Sequence, residues 1–159
     1  MIAPPRADVA AVVERLSAAG YVVPSANPRL EWFGDSPELA RELGVLVRRG
    51  GKRASAGLLA AWHADGDPLP QVGDVEIIID WSGEPLAVIE VTEVRVLPFD
   101  QVDAAFARDE GEGDGSLAAW RDAHWSYLSR ECARVGQIPA TTMPVVCRRF
   151  RLLYPDASD

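Results

Sequence analysis

The segment from Arg48 to Ser55 (RRGGKRAS) holds the densest basic chemistry in the sequence. Four cations fall within six residues with no acid among them, and the glycine pair lets the backbone approach a ligand closely. The segment is not a phosphate-binding Walker loop, because it lacks the preceding glycine spacing and follows a predicted helix rather than a strand. It indicates either a ligand site centred on Lys52, with the Ser55 hydroxyl nearby, or a helix end whose arginines complement the helix dipole.

Lys52 is the only lysine among the 16 basic residues of the chain. Arginine stays protonated in proteins, whereas a desolvated lysine can lose its proton and act as a base or nucleophile. The single lysine therefore either results by chance from a composition strongly biased toward arginine, or it indicates a site whose chemistry arginine cannot perform.

A run of four carboxylates, Asp109, Glu110, Glu112 and Asp114, is interleaved with glycines (DEGEGD). Such a run can supply a general acid or base, or oxygen ligands for a divalent metal. It is not an EF-hand loop, because the later glutamate is missing. The alternative interpretation is a solvated linker that caps the following helix.

The segment from Trp120 to Arg130 combines aromatic rings that could stack on a base with His124, which could move protons. At helical spacing, Trp120, His124 and Leu128 also form one stripe, with Leu117 a turn before them. A buried structural role is therefore the other interpretation of His124.

Composition limits what these residues can do. The chain has 159 residues and a net charge of −8, whereas proteins that bind long nucleic acids by counterion release are normally basic. Any nucleic-acid contact must therefore come from a local patch or pocket. No apolar run approaches the ~20 residues of a membrane span, no secretion signal is evident, and the two cysteines form no CxxC pair. We expect a single cytoplasmic domain without membrane association.

Hydrophobic periodicity predicts the elements that must position these side chains. Helices are predicted over residues 7–19, 37–49, 100–108 and 116–134, and strands over residues 54–62, 75–80, 86–97 and 145–154. The second helix offers two caps, either Asp35 paired with Glu38 or Ser36 followed by Pro37. Uneven alternation in the last strand predicts a bulge or burial on both faces. Short strands with inserted helices favour an α+β barrel of five or six strands over a doubly wound sheet.

The order of motifs between Trp32 and Pro155 is distinctive, and it includes WFGDSPELARELGVLVRRGGKRASAGLL, PLPQVGDVEIIID and MPVVCRRFRLLYP. This order resembles the ASCH family. The resemblance implies an α+β, PUA-like small β-barrel of mainly antiparallel strands with flanking helices and a pocket at the barrel mouth. It implies a single ASCH domain over residues 1–159, with an N-terminal helix and loop extension (1–31) and a core (32–155).

The resemblance also assigns residues. The family's pocket lysine corresponds to Lys52, its hydroxyl residue to Ser55 and its acidic residue to Glu110, and these three are the expected catalytic residues. Contacts to nucleic acid are expected from Arg48, Arg49, Arg53, Trp125, Ser126 and Ser129. We expect Lys52 at the pocket mouth, where it contributes little to the core, and Glu110 directed into the same pocket. Glu112 and Asp114 are expected to face solvent or cap the next helix.

The family is associated with RNA, and the resemblance therefore implies RNA or a nucleoside as the partner; no protein partner is evident. Bacterial members are reported as ribonucleases, and a shorter branch as amidohydrolases that deacetylate acetylcytidine. The long helix with Ser126 and Ser129 is typical of the ribonuclease-like members and favours cleavage of single-stranded RNA. In that reaction Lys52 stabilises the phosphorane or activates a hydroxyl, and Glu110 is the opposing acid or base.

Two other functions stay open. In an acetylcytidine amidohydrolase, Ser55 or water attacks the acetyl carbonyl with Lys52 as the base. A non-catalytic module would bind RNA or a nucleotide without cutting it. No cofactor is expected, although the acidic run leaves a divalent metal open.

Overall fold

The computed structural model describes residues 8–156. The helices in this range are α1 (Val9–Ala18), α2 (Pro37–Arg48), α3 (Leu59–Asp65), α4 (Ala104–Glu110) and α5 (Leu117–Val135), with a 3₁₀ turn at Phe99–Gln101. The strands are β1 (Arg29–Glu31), β2 (Ala54–Leu58), β3 (Val75–Ile79), β4 (Pro85–Pro98) and β5 (Pro144–Tyr154).

The five strands form one curled sheet, a half-barrel, in the order β1-β3-β4-β5-β2. β1 runs parallel to β3, and the other neighbouring strands are antiparallel. The long β4–β5 pair changes register after Val88 and again between Val91 and Glu93, so the irregularity predicted for the last strand is present in its pairing. The α+β PUA-like fold with flanking helices is confirmed.

The strand predicted over residues 54–62 is too long. β2 ends at Leu58 and α3 begins at the next residue, so Trp62 lies on a helix. Alanine is the strongest helix former, and LAAWHAD contains three alanines. Gly66 follows it in the left-handed conformation (φ 69°) and ends the helix. A short apolar run such as Leu58 to Ala61 does not distinguish strand from helix by periodicity alone.

The helix predicted over residues 100–108 is displaced toward the C-terminus. The 3₁₀ turn comes first, and α4 begins only after Asp103, whose Oδ1 accepts a hydrogen bond of 2.9 Å from the Phe106 N–H. The displacement makes Glu110 the last residue of α4. Gly111 then takes the left-handed conformation (φ 67°), which turns the chain at the point where the acidic run begins.

Helix caps explain most of the remaining bounds. The second of the two predicted caps for α2 is correct, since the Ser36 hydroxyl accepts from the Leu39 N–H at 3.1 Å and Pro37 follows it. α5 begins one residue after its predicted start, because Ser116 is its cap and accepts from the Ala119 N–H at 3.1 Å. α1 covers Val9–Ala18, and residue 7 of the predicted helix lies outside the described residues.

Apolar residues lie on both sides of the sheet. On one side α4 and α5 pack against β2, with Phe106, Trp120 and Leu128 in the cluster. On another, Val12 and Leu16 of α1 pack against β3 and β4. Within residues 8–156, every helix is too short or too polar to cross a bilayer.

Candidate functional site

A cavity of about 830 Å³ lies between the sheet and helices α2, α3 and α5. Several side chains with polar atoms line it, namely Glu31, Trp32, Lys52, Ser55, Glu110, Glu112, His124 and Arg148. A mostly apolar cavity with a few convergent polar groups is the usual form of a small-ligand site.

Lys52 is not at the mouth of this cavity but beneath its surface, with 2% of the residue exposed. Its ammonium donates to the Ala54 carbonyl (2.8 Å), to Glu110 Oε1 (2.8 Å) and to Glu112 Oε2 (3.3 Å). An ammonium has three N–H groups, and all three are therefore used. The expectation that Lys52 contributes little to the core is wrong, because a buried ion pair is costly to break.

Two turns bring Lys52 and Glu110 together across 58 positions of sequence. The end of α2 at Gly50 (φ 79°) sends the chain into β2, and the Arg53 N–H bonds the Asp109 carbonyl at 2.7 Å. The backbones approach so closely that a Cβ on Gly111 would lie 1.9 Å from the Gly51 carbonyl oxygen. The contact between the two turns therefore requires a glycine at position 111.

Glu110 is the most enclosed acid of the site, with 1% exposure. Besides Lys52, its carboxylate accepts from the Trp120 indole N–H and lies 3.0 Å from His124 Nε2. Burial alone would raise its pKa, but the Lys52 charge and the hydrogen bond from His124 outweigh burial and lower the pKa to about 2. Glu110 is therefore a permanent anion that holds two cationic side chains.

His124 is both part of the buried stripe of α5 and part of this site. Its Nδ1 lies 2.9 Å from the Trp120 carbonyl oxygen, and its Nε2 faces the Glu110 carboxylate. Both partners are acceptors, so both ring nitrogens must donate, which requires the imidazolium. Burial lowers the pKa of His124, but the hydrogen bond and charge of Glu110 raise it further, to a net value above the usual one.

The prediction that Glu112 faces solvent or caps the next helix is wrong. Its carboxylate reaches Lys52 and comes within 3.7 Å of His124 Nε2, while its side chain keeps 26% exposure. Burial and the neighbouring Glu110 charge raise the pKa of Glu112, against the opposing effect of Lys52. Asp114 does face solvent, and it bonds the Ser116 N–H at the start of α5 as expected. We call Lys52, Glu110, Glu112 and His124 the Lys52 cluster.

The raised pKa of His124 gives the first testable prediction. The folded protein holds the His124 proton to a higher pH than the unfolded chain, so this proton stabilises the fold fully below the unfolded pKa of about 6.5. The stabilisation is lost as pH rises through the folded value. We expect His124→Gln to lower the free energy of unfolding most at acidic pH and progressively less at alkaline pH. Denaturant titrations across pH check this, with His63→Gln on the exposed side of α3 as the control. A loss independent of pH would contradict it.

The ligand atoms of Glu110, Glu112 and His124 lie within 4.8 Å of one another, so the donor set alone could hold a divalent metal. The cationic side chains around these atoms, however, are not compatible with a bound divalent metal. An ion there would share both carboxylates with the Lys52 ammonium and would require His124 to release its Nε2 proton. We interpret the group as an ion-pair cluster in which Lys52 and His124 supply the positive charge.

The six side chains expected to contact nucleic acid do not line the cavity. Arg48 donates to the Leu86 carbonyl and lies over the Tyr154 ring, and Arg49 and Arg53 are exposed. Trp125 is 37% exposed beside Phe99. Their binding roles stay predictions for a surface outside the cavity.

Two serines of α5 complete that set. The Ser126 hydroxyl accepts from Arg130, which does line the cavity, so this part of α5 adjoins it. The Ser129 hydroxyl is buried without a hydrogen-bond partner among the described residues. Ser55 of β2, by contrast, lines the cavity together with Lys52, while its catalytic role stays a prediction.

Sequence reasoning missed Glu31, Trp32 and Arg148, which form another part of the lining. The uneven alternation predicted for the last strand, where Arg148 lies, was the available signal for it. An arginine placed among buried strand residues must have a buried partner, and Glu76 is that partner at 3.0 Å.

Comparison with known proteins identifies one family model and two similar solved structures. The family model described as ASCH domain matches residues 30–154. The fold is similar to the crystal structure of an ASCH domain from Lactobacillus crispatus JV V101, with 33% identity, a TM-score of 0.75, and coverage of 90% of this chain and 87% of that one. It is also similar to a protein from Enterococcus faecalis V583, with 30% identity, a TM-score of 0.75, and coverage of 88% and 83%. No curated protein matches the chain.

Proposed function

Because the chain belongs to the ASCH domain family, we propose that it is a ribonuclease that takes one nucleotide of a single-stranded RNA into the cavity above the Lys52 cluster. The observation that carries this proposal is the pair of cationic donors, Lys52 and His124, held on one buried carboxylate at the cavity wall. Phosphoryl chemistry needs preorganised positive charge where the phosphorane develops, and this pair supplies it.

Substrate must displace one partner of Lys52, since all three N–H groups are used. Glu112 is the partner to leave, because its contact is the longest (3.3 Å) and its side chain the most exposed of the cluster. A phosphate oxygen can take its place on the ammonium. The released carboxylate then lies beside the substrate, free to accept a proton.

The reaction that fits is attack of the ribose 2′-oxygen on the adjacent phosphorus. Glu112 accepts the 2′-hydroxyl proton as the new phosphorus–oxygen bond forms, and Lys52 stabilises the charge of the phosphorane. His124 donates its Nε2 proton, which bonds Glu110 in the free protein, to the 5′-oxygen as that bond breaks. The products are a 2′,3′-cyclic phosphate and a 5′-hydroxyl. Glu110 is a positioning residue in this scheme rather than the acid or base, because its low pKa leaves it no proton to give.

A second candidate, deacetylation of acetylcytidine, is favoured by a different observation. The arginines expected to follow an RNA backbone, Arg48, Arg49 and Arg53, do not line the cavity. A small neutral nucleoside needs no such track. Ser55 or water would then attack the acetyl carbonyl, with the Lys52 cluster polarising it.

One pair of variants tests the proposal. We expect the purified chain to cut a labelled single-stranded RNA, Glu112→Gln to lose about a hundredfold or more in turnover because the base is gone, and Asp114→Asn to keep wild-type turnover. Asp114 is the matched control, an exposed carboxylate two residues away. Gel analysis of RNA products and chromatography of acetylcytidine run side by side. Release of acetate without RNA cleavage would replace the first candidate by the second, and RNA binding without any product would leave a binding module.

A further inference from the structure

The guanidinium of Arg148 lies in the cavity wall, and some of its donors have no acceptor within residues 8–156. Arg148 is 5% exposed, and its Nη2 pairs with Glu76 Oε1 at 3.0 Å. Its Nε and Nη1 are buried and have no hydrogen-bond partner among the described residues. A buried polar group left unpaired costs roughly 1–3 kcal/mol, so such groups indicate a missing partner.

Trp32 adds a third donor to the same wall. Its indole N–H is buried without a partner in the part of the chain that the structure describes, and the residue lines the cavity. The Arg148 guanidinium also contacts two aromatic rings, with its Cζ 5.7 Å from the Phe33 centroid and 5.9 Å from the Trp62 centroid. These cation–π contacts fix the plane of its N–H groups and give the wall flat apolar faces.

Glu31 places one acceptor beside these donors. Its side chain is 16% exposed and lines the cavity, and burial, reinforced by the Glu76 charge, raises its pKa to about 7 against the effect of Arg148. An anionic ligand at Arg148 would face Glu31 and Glu76 together. A neutral group that accepts from Arg148 and Trp32 and donates to Glu31 has no such penalty.

We propose that Arg148, Trp32 and Glu31, with the rings of Phe33 and Trp62, form a subsite for a flat neutral ring with two acceptor atoms and one N–H donor. We call these five residues the Arg148 subsite. Among nucleobases, cytosine and uracil present two acceptors and one donor on the pairing edge, guanine presents one acceptor and two donors, and adenine one of each. A wall with three donors and one acceptor therefore selects pyrimidines. This inference rests on the proposed function, since it names the base that the cavity takes.

Binding of free nucleosides tests the subsite apart from cleavage. Quenching of tryptophan fluorescence, or calorimetry, on the full chain should show cytidine and uridine bound about tenfold or more tighter than adenosine and guanosine. Tenfold corresponds to about 1.4 kcal/mol, the size of one buried hydrogen bond. Trp32→Phe keeps a ring but removes one donor, and should weaken pyrimidine binding about tenfold. Trp81→Phe, in the turn between β3 and β4 and away from the cavity lining, should bind as wild type does.

Arg148 itself is a poor test, because its removal leaves Glu76 buried without its partner. Glu31→Gln is the second variant instead, and it should reduce the preference for pyrimidines by exchanging one acceptor for a group that also donates. If nucleosides bind and RNA is cut but Trp32→Phe and Trp81→Phe behave alike, the subsite is wrong and the ribonuclease proposal stands. If pyrimidines and purines bind equally, the subsite is also wrong. If no nucleoside binds and no RNA is cut, both proposals fail.

Discussion

Replacing Lys52 by methionine is expected to lower the free energy of unfolding by about 3–5 kcal/mol and to abolish turnover. Methionine fills a similar volume, but it leaves the Glu110 carboxylate without its ammonium at 1% exposure. It also removes the charge on which the phosphorane depends. Urea titration measures the first effect and cleavage of labelled RNA the second.

A companion variant separates the two effects. Lys52→Met with Glu110→Gln removes the unpaired buried charge, so it should recover part of the lost stability while turnover stays absent. Lys52→Arg should also be inactive, because a planar guanidinium cannot reproduce three tetrahedral N–H bonds in the same space. Wild-type stability in Lys52→Met would contradict the buried ion pair, and wild-type turnover in a folded Lys52→Met would remove Lys52 from the mechanism.

The second large effect is expected at Gly111. A methyl group there would meet the Gly51 carbonyl oxygen at 1.9 Å and its carbon at 2.8 Å, and neither backbone atom can rotate away. Gly111→Ala must therefore separate the two turns that join Lys52 to Glu110. We expect a loss of stability about 1–3 kcal/mol beyond the cost of the left-handed backbone, together with a large drop in turnover.

Gly113 is the matched control for this variant. It also has positive φ (59°), but no atom of the described residues lies within 4 Å of a Cβ built on it. Gly113→Ala should therefore show only the cost of the left-handed backbone, about 1–2 kcal/mol, and should keep its turnover. Thermal melts and turnover of the two variants, compared side by side, measure the contact itself. Equal losses would mean that the approach of the two turns is not important to the site.

Much of this arrangement could be predicted from the sequence because its signals are local. Gly50-Gly51 ended α2, Ser36 capped it, and the single lysine stood out by its type alone. The resemblance then placed Glu110 beside Lys52, and the 2.8 Å contact agrees with that placement. Periodicity failed where a short apolar run could adopt either state, as at the junction of β2 and α3.

The burial of the site's side chains and the identity of their partners could not be predicted from the sequence. Glu112 was expected in solvent, since a glycine-flanked acid in a linker carries no sign of a lysine 60 positions away. The protonation of His124 depends on two acceptors, one of them the Trp120 carbonyl on its own helix and the other brought by α4. Such facts follow from the packing of elements and from no pattern within one element.

The reacting groups of the cavity and part of its base-recognition subsite come from different segments of the chain. The Lys52 cluster comes from the turn before β2, the end of α4 and the middle of α5, whereas Glu31 and Trp32 come from and just after a three-residue strand at the edge of the sheet. In evolutionary terms the two can drift separately. Substitutions in and just after β1 would change which base binds, while the Lys52 cluster stays unchanged. Relatives with one chemistry and diverging substrates would be the natural outcome.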